Sequence, residues 1–230
     1  MARLPRLVVP GIPHHVTQRG ARRQATFFRD EDYADYRQLL ATNCRRSDVE
    51  IWAYCLMPNH AHIVAVPGHA NSLARLFQVT HLKYSRRINE RQDWRGHLWQ
   101  ERFHSFGMDE RHLMMAVRYI ELNPVRAGLC REPAQWPWSS VHAHLGNAKD
   151  PLVNPQPMLS RISDWATYLQ DDQDPHDLDT LRRHGRTGRP AGSDEFLDTL
   201  ERLTGRRLRP MKPGPRAEMS KLSPYLPHIC

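Results

Sequence analysis

The order in which β-rich and helical segments alternate over the first 122 residues narrows the possible folds of this 230-residue chain more than any other feature. His14–Arg19 (HHVTQR), bounded by Gly11-Ile12-Pro13 and Gly20, reads as a short strand. Asp30–Arg46 repeats Tyr33, Tyr36, Leu39 and Leu40 at helical spacing, with Asp30 as a cap. Val49–Cys55 and Asn59–Val66 are rich in strand-forming residues, the second closed by Pro67-Gly68. Ser72–Arg91 carries Leu73, Phe77, Thr80, Tyr84 and Ile88 on one helical stripe. His97–Met108 reads as a strand. Asp109 then caps a helix running to about Leu122, where Asn123-Pro124 stops it. The order β-α-β-β-α-β, followed by a further helix, predicts an α+β chain with a ferredoxin-like antiparallel sheet and helices packed on it.

After Gly146 the character changes. Lys149–Pro157 is a proline-rich linker, Gln170–Asp179 is acidic, and a helical piece is expected near Thr180–His184. Ser193 caps a short helix, Asp194–Leu203, with Phe196, Leu197, Leu200 and Leu203 as its stripe and Gly205 at its end. The run RRLRPMKPGPR (206–216) is basic and proline-broken, and is expected to be disordered unless bound. The chain thus divides into a folded domain over residues 1–146 and a partly helical basic extension over 147–230.

A formal net charge of +8 and a pI of about 9.7 suit a partner bearing phosphates. Four cysteines, Cys44, Cys55, Cys130 and Cys230, form no CxxC pair and no zinc-ribbon spacing. No secretory signal and no membrane-length apolar run is visible, so a reduced, cytoplasmic protein away from membranes is expected.

Two places carry chemistry. In MPNHAHIVAV, His60 and His62 flank Ala61 on a strand, so both point to one face, about 7 Å apart along it, and can bite one metal ion. With 14 histidines in 230 residues, about one such pair arises by chance, so the spacing alone leaves a packed pair and a ligand pair both open. A second pair, His142-Ala143-His144, lies outside any expected strand and reads as surface or packing. The other place is the end of the helix after Asp109, RYIELNP. Its apolar stripe is Leu113, Ala116, Val117 and Ile120; Tyr119 falls on the flank of that stripe, and Asn123 follows one turn later on the same flank. The phenol could stand beside an adjacent sheet face, or Tyr119 could be a half-buried aromatic with Asn123 as a helix cap.

NHAHIV followed by RYIELNPVRAGL resembles the HUH-type single-tyrosine transposases of the IS200/IS605 kind, and more closely the REP-associated tyrosine transposases. Ala61 stands at the hydrophobic middle place of their His-hydrophobic-His motif. The resemblance spans about Leu4 to Gly146 and includes PGIPHHVTQRG, LWQERFHS and WPWSS. It implies cleavage and rejoining of single-stranded DNA by transesterification. Tyr119 would attack a backbone phosphorus, leaving a 5′-phosphotyrosine and a free 3′-hydroxyl. Phenols ionise near pH 10, so help at the phosphate is needed. It also implies a divalent ion, Mg²⁺ or Mn²⁺, held by His60, His62 and Asn123. The DNA implied is a hairpin-bearing single strand from REP-like palindromic elements, bound by a monomer or a homodimer.

Arg19, Arg22 and Arg23 after the first strand, and Lys83, Arg86 and Arg87 on the second helix, are the candidate phosphate contacts. Trp52, Trp94 and Trp99 could stack bases. Among the tyrosines, Tyr84 competes with Tyr119 but sits at the centre of its helix's apolar stripe. Three other readings stand beside the transposase one: an HUH replication initiator or relaxase, a non-catalytic binder of hairpin nucleic acid, and a metal-dependent hydrolase. The last has no HExxH motif to support it.

Overall fold

The computed structural model describes residues 6–171 and 174–209. Its centre is a four-stranded, wholly antiparallel sheet of β1 (His14–Arg19), β2 (Val49–Met57), β3 (His60–Pro67) and β4 (His104–Gly107) in the order β2-β3-β1-β4. With α1 (Asp30–Ser47) between β1 and β2, and α2 (Ser72–Gln92) between β3 and β4, this is the expected ferredoxin-like arrangement.

Strand periodicity sorts the sheet into two faces. On β3, Ala61, Ile63 and Ala65 enter the core under α1 and α2, whereas Val64 enters a second core on the opposite face. The first core is aromatic: Phe27, Tyr33, Tyr36, Tyr84 and Trp99 pack edge to face, tilted or stacked. It is tied between the helices by Asn43 Nδ2 donating to Thr80 Oγ1 at 3.1 Å. Asp30, Glu31 and Asp32 in the first turn of α1 complement its dipole, and Asp32 also accepts from Arg91 Nη2 at 2.8 Å.

The second face is covered by α3 (Glu110–Glu121). Asp109 caps it, accepting from His112 N at 2.9 Å, and Leu113, Ala116, Val117 and Ile120 are fully buried, as their spacing predicts. A one-turn helix, α4 (Asn123–Arg126), continues from it, and another, α5 (Val141–His144), follows the WPWSS segment. The later residues pack partly on this same face, through Met158, Trp165, Tyr168, Leu169 and Leu181, and partly, through Leu200, in a small third cluster with Leu7, Val9 and Leu208. They form the single turn α6 (Gln156–Leu159), then α7 (Trp165–Gln170), α8 (Pro175–Thr187) and α9 (Asp194–Thr204).

Several expectations change. The strand expected over 97–108 is confined to His104–Gly107; Leu98, Trp99 and Phe103 are instead buried as side-chain anchors of an irregular segment joined to the sheet by a single bridge, Gly20↔Trp99. The helix expected near 180–184 extends over Pro175–Thr187, with Asp174 accepting from His176 N at its start and Gly188 in the left-handed conformation at its end. On α9 only Leu200 of the expected stripe is fully buried, and Leu203 is 68% exposed. Residues 149–157, expected as a linker, run along β2: Asn154 N donates to Ile51 O at 2.8 Å. Most of the basic run 206–216 lies outside the described residues.

Candidate functional site

His60 and His62 point from β3 toward α3, on the same sheet face as Phe106 of β4. Their rings are 4.9 Å apart and nearly perpendicular, and the Tyr119 ring stands 5.5 Å from His62, also perpendicular. All three open onto a cavity of about 560 Å³ floored by β1 and β3. The sheet register produces this convergence, since β1 sets Thr17 opposite His62 and Arg19 opposite His60.

Each histidine has its Nδ1 engaged. His60 Nδ1 donates to Asn59 Oδ1 at 2.6 Å, and His62 Nδ1 lies 3.0 Å from His15 Nε2. When Nδ1 carries the proton, Nε2 is a free lone pair, which is how outer partners prepare imidazoles for a metal. Burial, and then the charge of Arg19, lowers His60 to about 4. Burial holds His62 well below the ordinary imidazole value, helped by the charges of His60, His15, Arg19 and Arg126. Both rings are therefore neutral at physiological pH, the form in which imidazole binds a metal.

Among the described residues no cluster of three or more His, Cys, Asp or Glu side chains is placed to hold a metal ion. Two neutral imidazoles and oxygen ligands fit a cation that keeps water or phosphate in its shell rather than a fully caged one. Asn123, at the start of α4, is 9% exposed and its Nδ2 has no partner; it does not lie on the cavity wall.

The cationic residues divide. Arg19 and Arg23 line the cavity. Arg22 and Arg23 form a turn with φ of 53° and 62°, a left-handed conformation uncommon for non-glycine residues. Asn59 holds that turn, with its Nδ2 donating to Arg23 O at 3.0 Å. Lys83, Arg86 and Arg87 ride on α2, on the other side of the sheet from Tyr119. Arg87 pairs with Asp35 at 3.0 Å and Arg86 with Glu90 at 2.7 Å. Trp99 belongs to the aromatic core, Trp52 is half-buried with Arg161 over its ring, and Trp94 is exposed beside Phe28. Tyr84 is buried, its hydroxyl donating to Thr26 O at 2.7 Å, and burial drives that hydroxyl far above the ordinary phenol range.

Residues not singled out by the sequence reading complete the site. His15 supports His62. Arg126 stacks its guanidinium carbon 4.3 Å over the Tyr119 ring and donates to the Tyr119 carbonyl. It stands inside the NPVRAGL run, one turn past Asn123, so a cation close behind the tyrosine is visible in the sequence, though its reach back to the phenol is not. Arg182 and Arg186 enter the cavity from α8. Their i, i+4 spacing is equally visible, but nothing in the sequence says which surface they face.

Behind the site, Glu121 is fully buried at the end of α3. Its Oε1 accepts from Ser140 Oγ and His144 Nδ1, both at 2.6 Å, and its Oε2 from Trp165 Nε1 at 2.8 Å. The second His-Ala-His pair is thus a packing element, as expected: His144 is buried against Glu121, and His142 Nε2 bonds Trp136 O at 3.0 Å.

The family described as Transposase IS200 like matches residues 9–123, half of the chain, from the lead-in to β1 through the Tyr119 helix to the first residue of α4. The chain belongs to the IS200-like transposase family. A Haemophilus influenzae protein named as a putative REP-associated tyrosine transposase is 26% identical over 119 residues, covering 47% of this chain and 68% of that protein. A solved REP-associated tyrosine transposase bound to a REP hairpin shares the fold, with a TM-score of 0.56 at 20% identity, covering 75% of this chain and 96% of the other.

Proposed function

We propose that this transposase cleaves and rejoins single-stranded DNA near hairpins, with Tyr119 as nucleophile. The observation that carries the reading is the convergence of Tyr119, His60 and His62 on one cationic cavity. Tyr119 Oη attacks the phosphorus of the scissile bond. The P–O3′ bond breaks, the phosphate passes to the phenol as a 5′-phosphotyrosine, and the departing oxygen becomes a free 3′-hydroxyl once protonated. A 3′-hydroxyl arriving later reverses the exchange, so bond energy is conserved and no nucleotide cofactor is consumed.

His60 and His62 would hold a divalent cation, Mg²⁺ or Mn²⁺, through Nε2, with Asn123 as the candidate third ligand. That ion would supply charge stabilisation at the phosphate oxygens. Arg19 and Arg23 neutralise the flanking backbone, and Arg126, stacked on the phenol ring and bonded to the Tyr119 carbonyl, holds the nucleophile in place. The hairpin is proposed as the DNA feature because the REP-associated relative of the same fold is bound to one.

The test is covalent trapping. Labelled hairpin-bearing single strands are incubated with protein and Mn²⁺ or Mg²⁺ and run on a denaturing gel. A metal-dependent adduct is expected from the natural protein and from Tyr84→Phe, and none from Tyr119→Phe. Binding without any adduct would turn the reading to a non-catalytic hairpin binder, and an adduct from Tyr119→Phe would move the nucleophile elsewhere.

A further inference from the structure

We propose that Arg182 and Arg186 of α8 grip the phosphate backbone of the strand entering the Tyr119 cavity, making the C-terminal extension one wall of the DNA site. The proposal rests on the reading of this cavity as a DNA site and deepens it. It concerns residues beyond the 9–123 span that matches the family.

The first support is placement. Residues 182 and 186 are one helical turn apart and share a face, and both line the cavity. Their neighbour Leu181 is buried in the core beneath α3, which fixes the rotation of the helix. Just beyond α8 the chain joins the sheet edge: Ala191 N donates to Gly107 O at 2.9 Å and Asp109 N to Ala191 O at 3.0 Å. Further on, Leu200 and Leu208 pack with Leu7 and Val9. The two arginines are therefore held over the cavity by contacts on either side of them.

The second support is charge. Opposite α8 the wall carries Arg19 and Arg23, and Arg102 adds another cation; Glu101 and Asp179 are the acids on the wall. Glu101 lies 2.8 Å from His104, and Asp179 lies 3.5 Å from Arg182, one turn back on the same exposed helix surface. Such an exposed pair contributes little. Cations thus outnumber acids in a concave site, which concentrates an anionic ligand there. The proximity of Arg182 also helps lower Arg126, after burial, as expected where cations crowd together. A polyanion threading between the walls relieves that crowding, and a nucleic-acid backbone is the ligand whose charge repeats along such a path.

The test reads the salt dependence of binding by the full chain to a fluorescein-labelled oligothymidylate, by anisotropy. Each single-strand phosphate contact contributes about 0.7 to the slope of log K against log salt. The double variant Arg182→Gln/Arg186→Gln is expected to lose about 1.4 from that slope. A control pair with the same charge change, Arg45→Gln/Arg46→Gln on α1, is expected to keep it. Equal slopes for the two doubles overturn the grip, even where the natural protein forms the Tyr119 adduct. Binding with a full slope but no adduct leaves the grip standing and removes the catalytic reading. A natural protein that does not bind the oligothymidylate overturns the grip and leaves the hairpin reading to the trapping assay. Matching thermal melts of the doubles and the natural protein separate lost contacts from lost fold.

Discussion

The two histidines that open β1 are as informative as the pair on β3. His14 is fully buried and His15 is 3% exposed. In the tautomer that frees His62 Nε2, His15 must accept at Nε2 and keep its proton on Nδ1, an atom with no partner. A buried orphan donor costs about 1–3 kcal/mol, a strain retained where the orientation of His62 matters. Burial lowers His14 to about 4 and His15 to about 3, from 6.5. The unfolded chain binds protons that the folded one refuses, so stability is complete above pH 6.5 and is lost as pH falls toward the folded values. Each residue adds a slope of about 1.4 kcal/mol per pH unit inside that window. Urea midpoints of the metal-free protein are expected to fall from about pH 7 to about pH 4.5; level midpoints would contradict the burial of neutral rings. His60 and His62 are legible in the sequence because strand alternation fixes their common side. His15 is not, because its contact with His62 crosses two strands whose register a single sequence does not reveal.

Asp109 shows how one side chain serves two elements. Its Oδ1 caps α3 and its Oδ2 accepts from Ser193 N at 2.8 Å, where α9 begins. Burial opposes ionisation of this carboxyl, but the hydrogen bonds from His112 and Ser193 outweigh it and hold the group below its ordinary range. Asp109→Ala is expected to cost about 1 kcal/mol through the cap. It should also speed amide exchange at Ser193 selectively over Gly107; unchanged exchange at Ser193 would show that the second bond is idle. The cap is legible, since an acidic residue preceding an apolar stripe is a local signal. The length of β4 is not. Leu98, Trp99 and Phe103 look strand-like because they are apolar and buried, yet they are anchored by side-chain packing rather than by a ladder.

Among the described residues, contacts between segments distant in sequence tie the later helices to the sheet domain. Trp165, Tyr168, Leu169 and Leu181 bury themselves in the core under α3, and Tyr168 donates to the Met114 carbonyl. Burial of large apolar side chains stabilises by about 1.5–3 kcal/mol each, against a total stability of about 5–15 kcal/mol for a domain. A chain ending at Gly146 is therefore expected to lack a sharp urea transition; a cooperative one would show that residues 1–146 fold alone. The order of strands and helices is readable because it depends on local periodicity. The packing of residues 147–171 and 174–209 is not, because it depends on pairings distant in sequence, such as Asp109 with Ser193.

Arg126 touches Tyr119 twice, at its carbonyl and across the face of its ring. The phenol and the cation are consequently geared together. Any turn of the ring toward the histidines or away from them would require the guanidinium to slide over its face while staying hooked to the backbone behind it. The nucleophile proposed for this transposase would thus carry its own detent, a resting position to return to after each exchange.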